Sequence, residues 1–233
     1  MKSKQPPRTH RNSFPSKTRV KILFEDNEVI VVEKPAGLLT IATDKEKRHT
    51  AYAQLLDYVK SKRKPEKLFI VHRLDREASG LLVFAKSESA KYLLQRQFKE
   101  HSAGRIYVAV TERRMAQVQY TIRSYLAENA IHQSYSASDP SKGKLAITHV
   151  HVLKRSFGRT LVEARLETGR KHQIRAHLAE RGHPIVGDRA YGSPSNPIRR
   201  LALHAEKLAF RHPLTRKLME FHSPPPALFA ALV

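Results

Sequence analysis

Two short apolar runs, Phe69-Ile70-Val71 and Leu81-Leu82-Val83-Phe84-Ala85, stand on either side of a polar stretch from His72 to Gly80. Runs this short, rich in branched and aromatic side chains and bounded by polar residues, suit buried strands. The chain is thereby committed to a strand–loop–strand unit whose loop reads His72-Arg73-Leu74-Asp75-Arg76-Glu77-Ala78-Ser79-Gly80. Arg73 and Arg76 flank Asp75 with positive charge, which favours the carboxylate form. A loop-borne carboxylate among cations is either a structural ion pair or a nucleophile or base. The residues alone leave both readings open.

The pattern elsewhere is a mixture of strands and helices without regular alternation. Residues 20–32 read as two strands around the turn Glu25-Asp26-Asn27, stopped by Lys34-Pro35-Ala36-Gly37. Residues 50–60 suit a helix with Ala51, Leu55, Leu56 and Val59 on one face. Ser87 is placed to cap a helix in which Ala90, Leu93, Leu94, Gln97 and Phe98 follow a 3–4 spacing. Arg105 to Thr111 is strand-like. Residues 112–148 are polar and poorly periodic apart from pieces near 118–122 and 145–153. From Thr160 to Thr168, Val162, Ala164 and Leu166 alternate with Glu163, Arg165 and Glu167, as in a half-buried strand. Lys171 to Arg181 suits a helix ending at Gly182. Several strands adjacent in sequence predict an α+β fold with a mixed, largely antiparallel sheet flanked by helices and loops. No internal repeat or second composition block is visible. We therefore expect a basic, disordered arm over residues 1–18 and one folded domain over 19–233.

Charge narrows the function. The 233 residues carry 43 Lys and Arg against 21 Asp and Glu, a net charge of +22. Such an excess favours a polyanionic partner, nucleic acid first and an anionic membrane surface second. The arm through residue 21 holds seven Lys or Arg, three Pro and no acid, and has no apolar core for a secretory signal. It reads either as a solvated tail or as a contact to phosphates that ignores sequence. No apolar run approaches membrane-spanning length. The absence of cysteine removes disulfides and thiolate metal sites, which fits a cytoplasmic protein.

A second basic constellation, Thr168-Gly169-Arg170-Lys171-His172-Gln173-Ile174-Arg175-Ala176-His177, follows the strand at 160–168. Arginines and helix starts both favour anions. His172 and His177 are five apart rather than four, which argues against a zinc helix, and no metal is expected. A solvated basic helix start is the plain alternative. Taken together, these segments resemble the RluA-type pseudouridine synthases. The Asp75 run is similar to that family's H-R-L-D-x-x-T-S-G-L-L, and the second to its T-G-R-x-H-Q-I-R-x-H. Lys34-Pro35-Ala36-Gly37-Leu38 resembles its opening motif. Arg105-Ile106-Tyr107-Val108-Ala109 resembles its K/R-x-Y-x-A. The runs His183–Gly192 and Leu201–Ala205 extend the likeness over residues 22–226. Ala78 stands where the family usually has Thr, which bears on local hydrogen bonding rather than on the nucleophile.

The resemblance implies isomerisation of uridine to pseudouridine in structured RNA, ribosomal or transfer. Asp75 would be the nucleophile, attacking either ribose or base. Arg175 would pair with it, and Tyr107 would pack on the extruded base. Arg73 would fill the space the base leaves, unless it pairs with Glu77. Arg76, Arg170 and His172 complete the RNA-binding set at the site. The loop residues Lys60, Lys62, Arg63 and Lys64 would guide the backbone. Asp188, Tyr191 and His204 are expected as scaffold or pocket wall. No cofactor, no membrane and no obligate protein partner is expected. Many relatives carry an S4-type RNA-binding domain before this core, and with the core beginning near residue 19 none is expected here. Two other classes stay in view. A non-catalytic RNA-binding or ribosome-assembly protein fits the charge equally well, and differs in having no need of Asp75, Tyr107 and Arg175 together. A histidine-based nuclease is suggested only by 13 scattered His.

Overall fold

The computed structural model describes residues 18–62 and 66–233. The arm expected over 1–18, save Thr18, and the loop positions Arg63 and Lys64 lie outside the described residues. Within them the chain forms one mixed sheet of eleven strands with helices packed on it. The hairpin of β1 (Lys21–Glu25) and β2 (Val29–Lys34) turns at Asp26, whose Oδ1 accepts from the backbone N–H of Glu28 and Val29, both at 2.8 Å. Helix α1 (Ala51–Lys60) starts at Thr50, whose hydroxyl accepts from the Ala53 N–H at 3.0 Å. Strands β3 (Phe69–Ile70) and β4 (Ser79–Ala85) are the two apolar runs around the Asp75 loop. Ser87 caps α2 (Glu88–Lys99) in the same way as Thr50 caps α1.

Next come β5 (Gly104–Glu112), β6 (Gln119–Glu128), the short β7 (Ser134–Ser136), β8 (Lys144–Arg155) and β9 (Arg159–Leu166). Helix α3 (Gln173–Glu180) and strands β10 (Leu203–Arg211) and β11 (Leu218–His222) precede a final turn of helix, α4 (Ala227–Ala230). The strand order is β1-β2-β4-β10-β5-β9-β8-β6-β7, with β11 on β10 and β3 on β4. Every named pairing is antiparallel except β4 with β10. The mixed, largely antiparallel sheet is as expected. The polar 112–148 region holds longer strands than its weak periodicity suggests.

The centre of the sheet is buried on both faces, which explains why β2 and β4 are continuous apolar runs rather than alternating ones. Val29 and Val31 pack with Leu81, Val83, Ala90 and Leu94 under α2. Ile30 and Val32 pack with Leu82, Phe84, Leu55 and Val59 under α1. Each such side chain contributes about 1.5–3 kcal/mol on burial.

The parallel contact of β4 with β10 fixes where the Asp75 loop ends. Ser79 and Gly80 register with His204 and Ala205. Gly80 has φ +115°, and a Cβ there would strike the Ala205 backbone, so no other residue permits this approach. A buried relay locks the junction. The Arg200 guanidinium donates to Ser79 Oγ at 2.7 Å, Ser79 Oγ meets His204 Nδ1 at 2.8 Å, and His204 Nε2 meets the Ser223 carbonyl at 2.9 Å. Burial lowers the His204 pKa. His204 is scaffold, as expected.

Candidate active site

Three elements from distant parts of the sequence meet over the open side of the β4–β10–β5 region. The loop before β4 brings Asp75, β5 brings Tyr107, and α3 brings Arg175. Together with Arg73, Arg170 and His172 they line a cleft of about 550 Å³. A volume of this size lies within the usual range for a small-molecule site.

The Asp75 loop is held by groups outside it. The Thr40 hydroxyl donates to the Leu74 carbonyl at 2.8 Å and accepts from the Leu74 N–H at 3.1 Å. His72 stacks on Phe98 at 4.5 Å and its Nε2 accepts from the Val83 N–H at 3.3 Å. Burial, with a smaller push from Arg105, takes the His72 pKa down to about 3, so the ring is neutral. Lys34 is fully buried at the end of β2. Its ammonium reaches the carbonyls of Pro35 at 3.0 Å, Leu38 at 2.7 Å, Arg76 at 3.2 Å and Ala78 at 2.6 Å. Burial lowers its pKa to about 7 against the pull of Asp75 and Glu77. One side chain thus ties the Pro35–Leu38 turn to the Asp75 loop. Position 78 enters this network through its backbone carbonyl, which Ala supplies as well as Thr. Lys34→Met leaves these carbonyls without their partner, and a loss of about 3 kcal/mol in unfolding free energy is expected from urea denaturation.

Arg175 is 4% exposed. Its Nη1 lies 3.4 Å from Asp75 Oδ2 and 3.6 Å from Glu77 Oε2. The tighter partner is Asp188, which takes Nε at 2.7 Å and Nη2 at 2.8 Å in a bidentate pair. Burial opposes the Arg175 charge, but the Asp188 hydrogen bonds and the nearby carboxylates more than offset it and raise its pKa. From the sequence, Asp188 is expected as scaffold or pocket wall. It is 2% exposed and works as the anchor that aims Arg175 at Asp75. The sequence signal was an acid beside Gly187 in a basic chain, which says nothing about its partner. Tyr191 lies under Arg175, with the guanidinium 5.0 Å from the ring centroid. Its hydroxyl meets His172 Nδ1 at 3.0 Å.

His172 has left-handed backbone geometry, φ 50°, so α3 begins at Gln173 rather than at Lys171. Gln173 pins this turn. Its Oε1 accepts from the Thr168 hydroxyl and the Arg170 N–H, and its Nε2 donates to the Ile147 carbonyl and Thr148 hydroxyl. The other face of the His172 ring reaches the site, with Nε2 4.0 Å from Asp75 Oδ1. Burial lowers its pKa, with Asp75 pulling the other way.

Tyr107 is 8% exposed, and burial, opposed by Arg105 and reinforced less strongly by Asp75, raises its pKa to about 12. The phenol therefore rests protonated at neutral pH. Arg73 is exposed on the cleft rim and makes no hydrogen bond or ion pair among the described residues. The alternative Arg73–Glu77 bridge does not form. Arg76 points its Nε at the Gly37 carbonyl, 3.2 Å away, and so braces the Lys34 turn. Arg170 donates from Nε to the Leu145 carbonyl at 2.9 Å and remains exposed in the cleft. Lys60 is exposed at the end of α1. Lys62 differs from the open basic loop expected. It pairs with Glu25 and, at 3.0 Å, with Glu66, in a network shared with Lys86. Its charge is thus compensated within the protein.

Among the described residues no group of three or more His, Asp or Glu is placed to hold a metal ion. Nor is any helix there long and apolar enough to cross a membrane.

The sequence profile of a family described as RNA pseudouridylate synthase matches residues 28–180. A Bacillus subtilis (strain 168) protein named uncharacterized RNA pseudouridine synthase YhcT is 36% identical over 216 residues, covering 92% of this chain and 71% of its own length. A Neisseria meningitidis serogroup B protein named ribosomal large subunit pseudouridine synthase D is 36% identical over 224 residues. That alignment covers 91% of this chain but 60% of the Neisseria protein, so the chain spans less than two thirds of that relative. In structure, human RNA pseudouridylate synthase domain containing 4 superposes with a TM-score of 0.76 over 90% of each chain, at 23% identity, which speaks for the fold. With the family profile across the Asp75 loop, Tyr107 and Arg175, and with relatives above 30% identity over nine tenths of its length, this chain belongs to the RNA pseudouridylate synthase family, isomerases that act on uridines in RNA.

Proposed function

We propose that this protein converts specific uridines of ribosomal RNA to pseudouridine, with Asp75 as the nucleophile, and that it works in the cytoplasm. The observation that carries this reading is the convergence of Asp75 and Arg175, 3.4 Å apart, in the same cleft as Tyr107. The name of the Neisseria relative favours ribosomal RNA as the substrate.

The reaction breaks the bond from uracil N1 to ribose C1′ and forms one from C5 to C1′. One proton leaves C5 and one arrives at N1, so atoms balance without an external donor. Asp75 attacks either C1′ or the uracil ring, and Arg175 orients it in both routes. Tyr107 starts protonated, which suits a group that gives a proton to N1 and takes one back from C5. Its ring packs on the flipped base. Arg73, unpaired on the rim, fills the vacated place in the RNA. Arg170 and Lys60 meet phosphates. The isomerisation involves no net oxidation or reduction and transfers no group to an external acceptor, so no step calls for a cofactor.

Tyr107→Phe keeps the packing face and removes the hydroxyl. Turnover is expected to fall by about 10²–10⁴-fold with unfolding free energy unchanged. Tritium release from C5-labelled uridine in RNA reads the first quantity. Full activity in Tyr107→Phe would remove the hydroxyl from the mechanism. The function itself is tested by pseudouridine mapping of total RNA from cells with and without the gene. Loss of one or a few sites from large-subunit ribosomal RNA is expected. An unchanged map would overturn the reading.

A further inference from the structure

Arg105 has no part in the chemistry above, yet it lines the same cleft. It lies on β5 two residues before Tyr107, and residues i and i+2 of a strand face the same side. It is 7% exposed. Arg175, equally buried, has the bidentate Asp188; Arg105 has no carboxylate partner among the described residues. Its hydrogen bond is from Nη2 to the Glu167 carbonyl at 3.2 Å. Its Nε is buried with no partner. The guanidinium rests over Phe98, 5.3 Å from the ring centroid. A buried cation left this way is costly, because no carboxylate balances its charge and its Nε donor has no acceptor.

The surroundings keep the cation in place and add to its charge. The guanidinium packs against Gly169, where a Cβ would press on Nη1 and make it shift. Lys99, Arg170 and Lys171 line the same cleft, whose lining holds one carboxylate, Asp75. Lys171 is spoken for by Glu128 at 2.5 Å, whereas Lys99 is exposed and unpaired among the described residues. The cleft around Arg105 therefore offers positive charge to an anion that the protein does not itself provide.

We infer that Arg105 is the anchor for a phosphodiester of the flipped nucleotide, setting the distance from RNA backbone to Asp75. This rests on the reading that the cleft accepts a uridine from RNA. Guanidinium and phosphate match in shape and charge, and the partnerless Nε of Arg105 gains an acceptor only when the RNA arrives. Arg105 then acts as a positioning residue, holding ribose and uracil between Asp75 and Tyr107.

The test separates a structural arginine from one that waits for a ligand. Arg105→Met keeps the apolar stem over Phe98 and removes the charge. Its melting temperature is expected to equal or exceed that of the parent, since a buried cation with no carboxylate partner has been deleted. Binding is measured in an Asp75→Asn background, with an in vitro transcript of bacterial large-subunit ribosomal RNA across a potassium chloride series. Arg105→Met is expected to weaken affinity by about 10- to 100-fold. The log–log salt slope is expected to drop by about 0.7–0.9, one phosphate contact. Arg105→Lys, which keeps the charge, is expected to keep the slope. Unchanged affinity and slope in Arg105→Met would overturn the inference whatever the melting temperature. A lowered melting temperature with the parent's slope would make Arg105 structural and overturn it too. If the wild-type protein releases no tritium yet the binding shifts appear, the proposed isomerisation fails and the phosphate site stands.

Discussion

An Asp75→Asn protein is expected to fold normally, bind RNA and form no pseudouridine. The substitution keeps the size of the side chain and removes its charge. Turnover is expected to drop by at least about 10⁴-fold, the scale on which enzymes respond to loss of a nucleophile. The fold has little stake in this carboxylate. Its closest cation, Arg175, sits 3.4 Å away and is already bound more tightly by Asp188 at 2.7 and 2.8 Å. A change of less than about 1 kcal/mol in unfolding free energy is expected for so long a contact. The backbone around position 75 is held by Thr40, Lys34 and His72, which the substitution leaves alone. Tritium release reports the chemistry, and urea denaturation reports the fold. Substantial turnover by Asp75→Asn would take the nucleophile assignment away.

Asp188→Ala is expected to damage both fold and chemistry. It leaves the Arg175 guanidinium buried with only the two longer contacts, to Asp75 and Glu77. Removing one partner of a buried pair costs about 3–5 kcal/mol. An Arg175 freed from its anchor also no longer holds a fixed place beside Asp75. Misplacing a catalytic group by about 1 Å lowers turnover by roughly 10²-fold. Denaturation and single-turnover tritium release, both at low temperature where the variant remains folded, separate the two effects. A variant that is destabilised but fully active when folded would show that Arg175 needs no help from Asp188.

What the sequence makes legible follows from how local each feature is. The runs at 29–32 and 81–85 are apolar throughout because helices cover both faces, so they read as strands without any partner in view. Ser87 reads as a cap because capping is a contact over three residues. Asp75, Tyr107 and Arg175 could be named together only through resemblance, since their meeting depends on β10 entering between β4 and β5. Nothing local announces that insertion, apart from Gly80, whose need for close approach appears only once Ala205 is beside it. The partners of Asp188 and Lys34 are illegible in the sequence for the same reason. They come from separate segments, and a buried ion pair has no periodicity. Helix α3 starts at Gln173 because His172 has left-handed backbone geometry, which residue periodicity does not signal. Lys62 looked like a phosphate contact from its neighbours in sequence, but Glu25, on β1, claims it.

Isomerisation of uridine by Asp75 in this cleft has a direct test. The purified protein is incubated with an unmodified transcript of bacterial large-subunit ribosomal RNA, beside its Asp75→Asn counterpart, and pseudouridine is mapped at single-nucleotide resolution. The expected result is pseudouridine at one or a few defined positions with the wild-type protein and none with Asp75→Asn. Modification at the same positions by both proteins, or by neither on any ribosomal or transfer RNA offered, would contradict it.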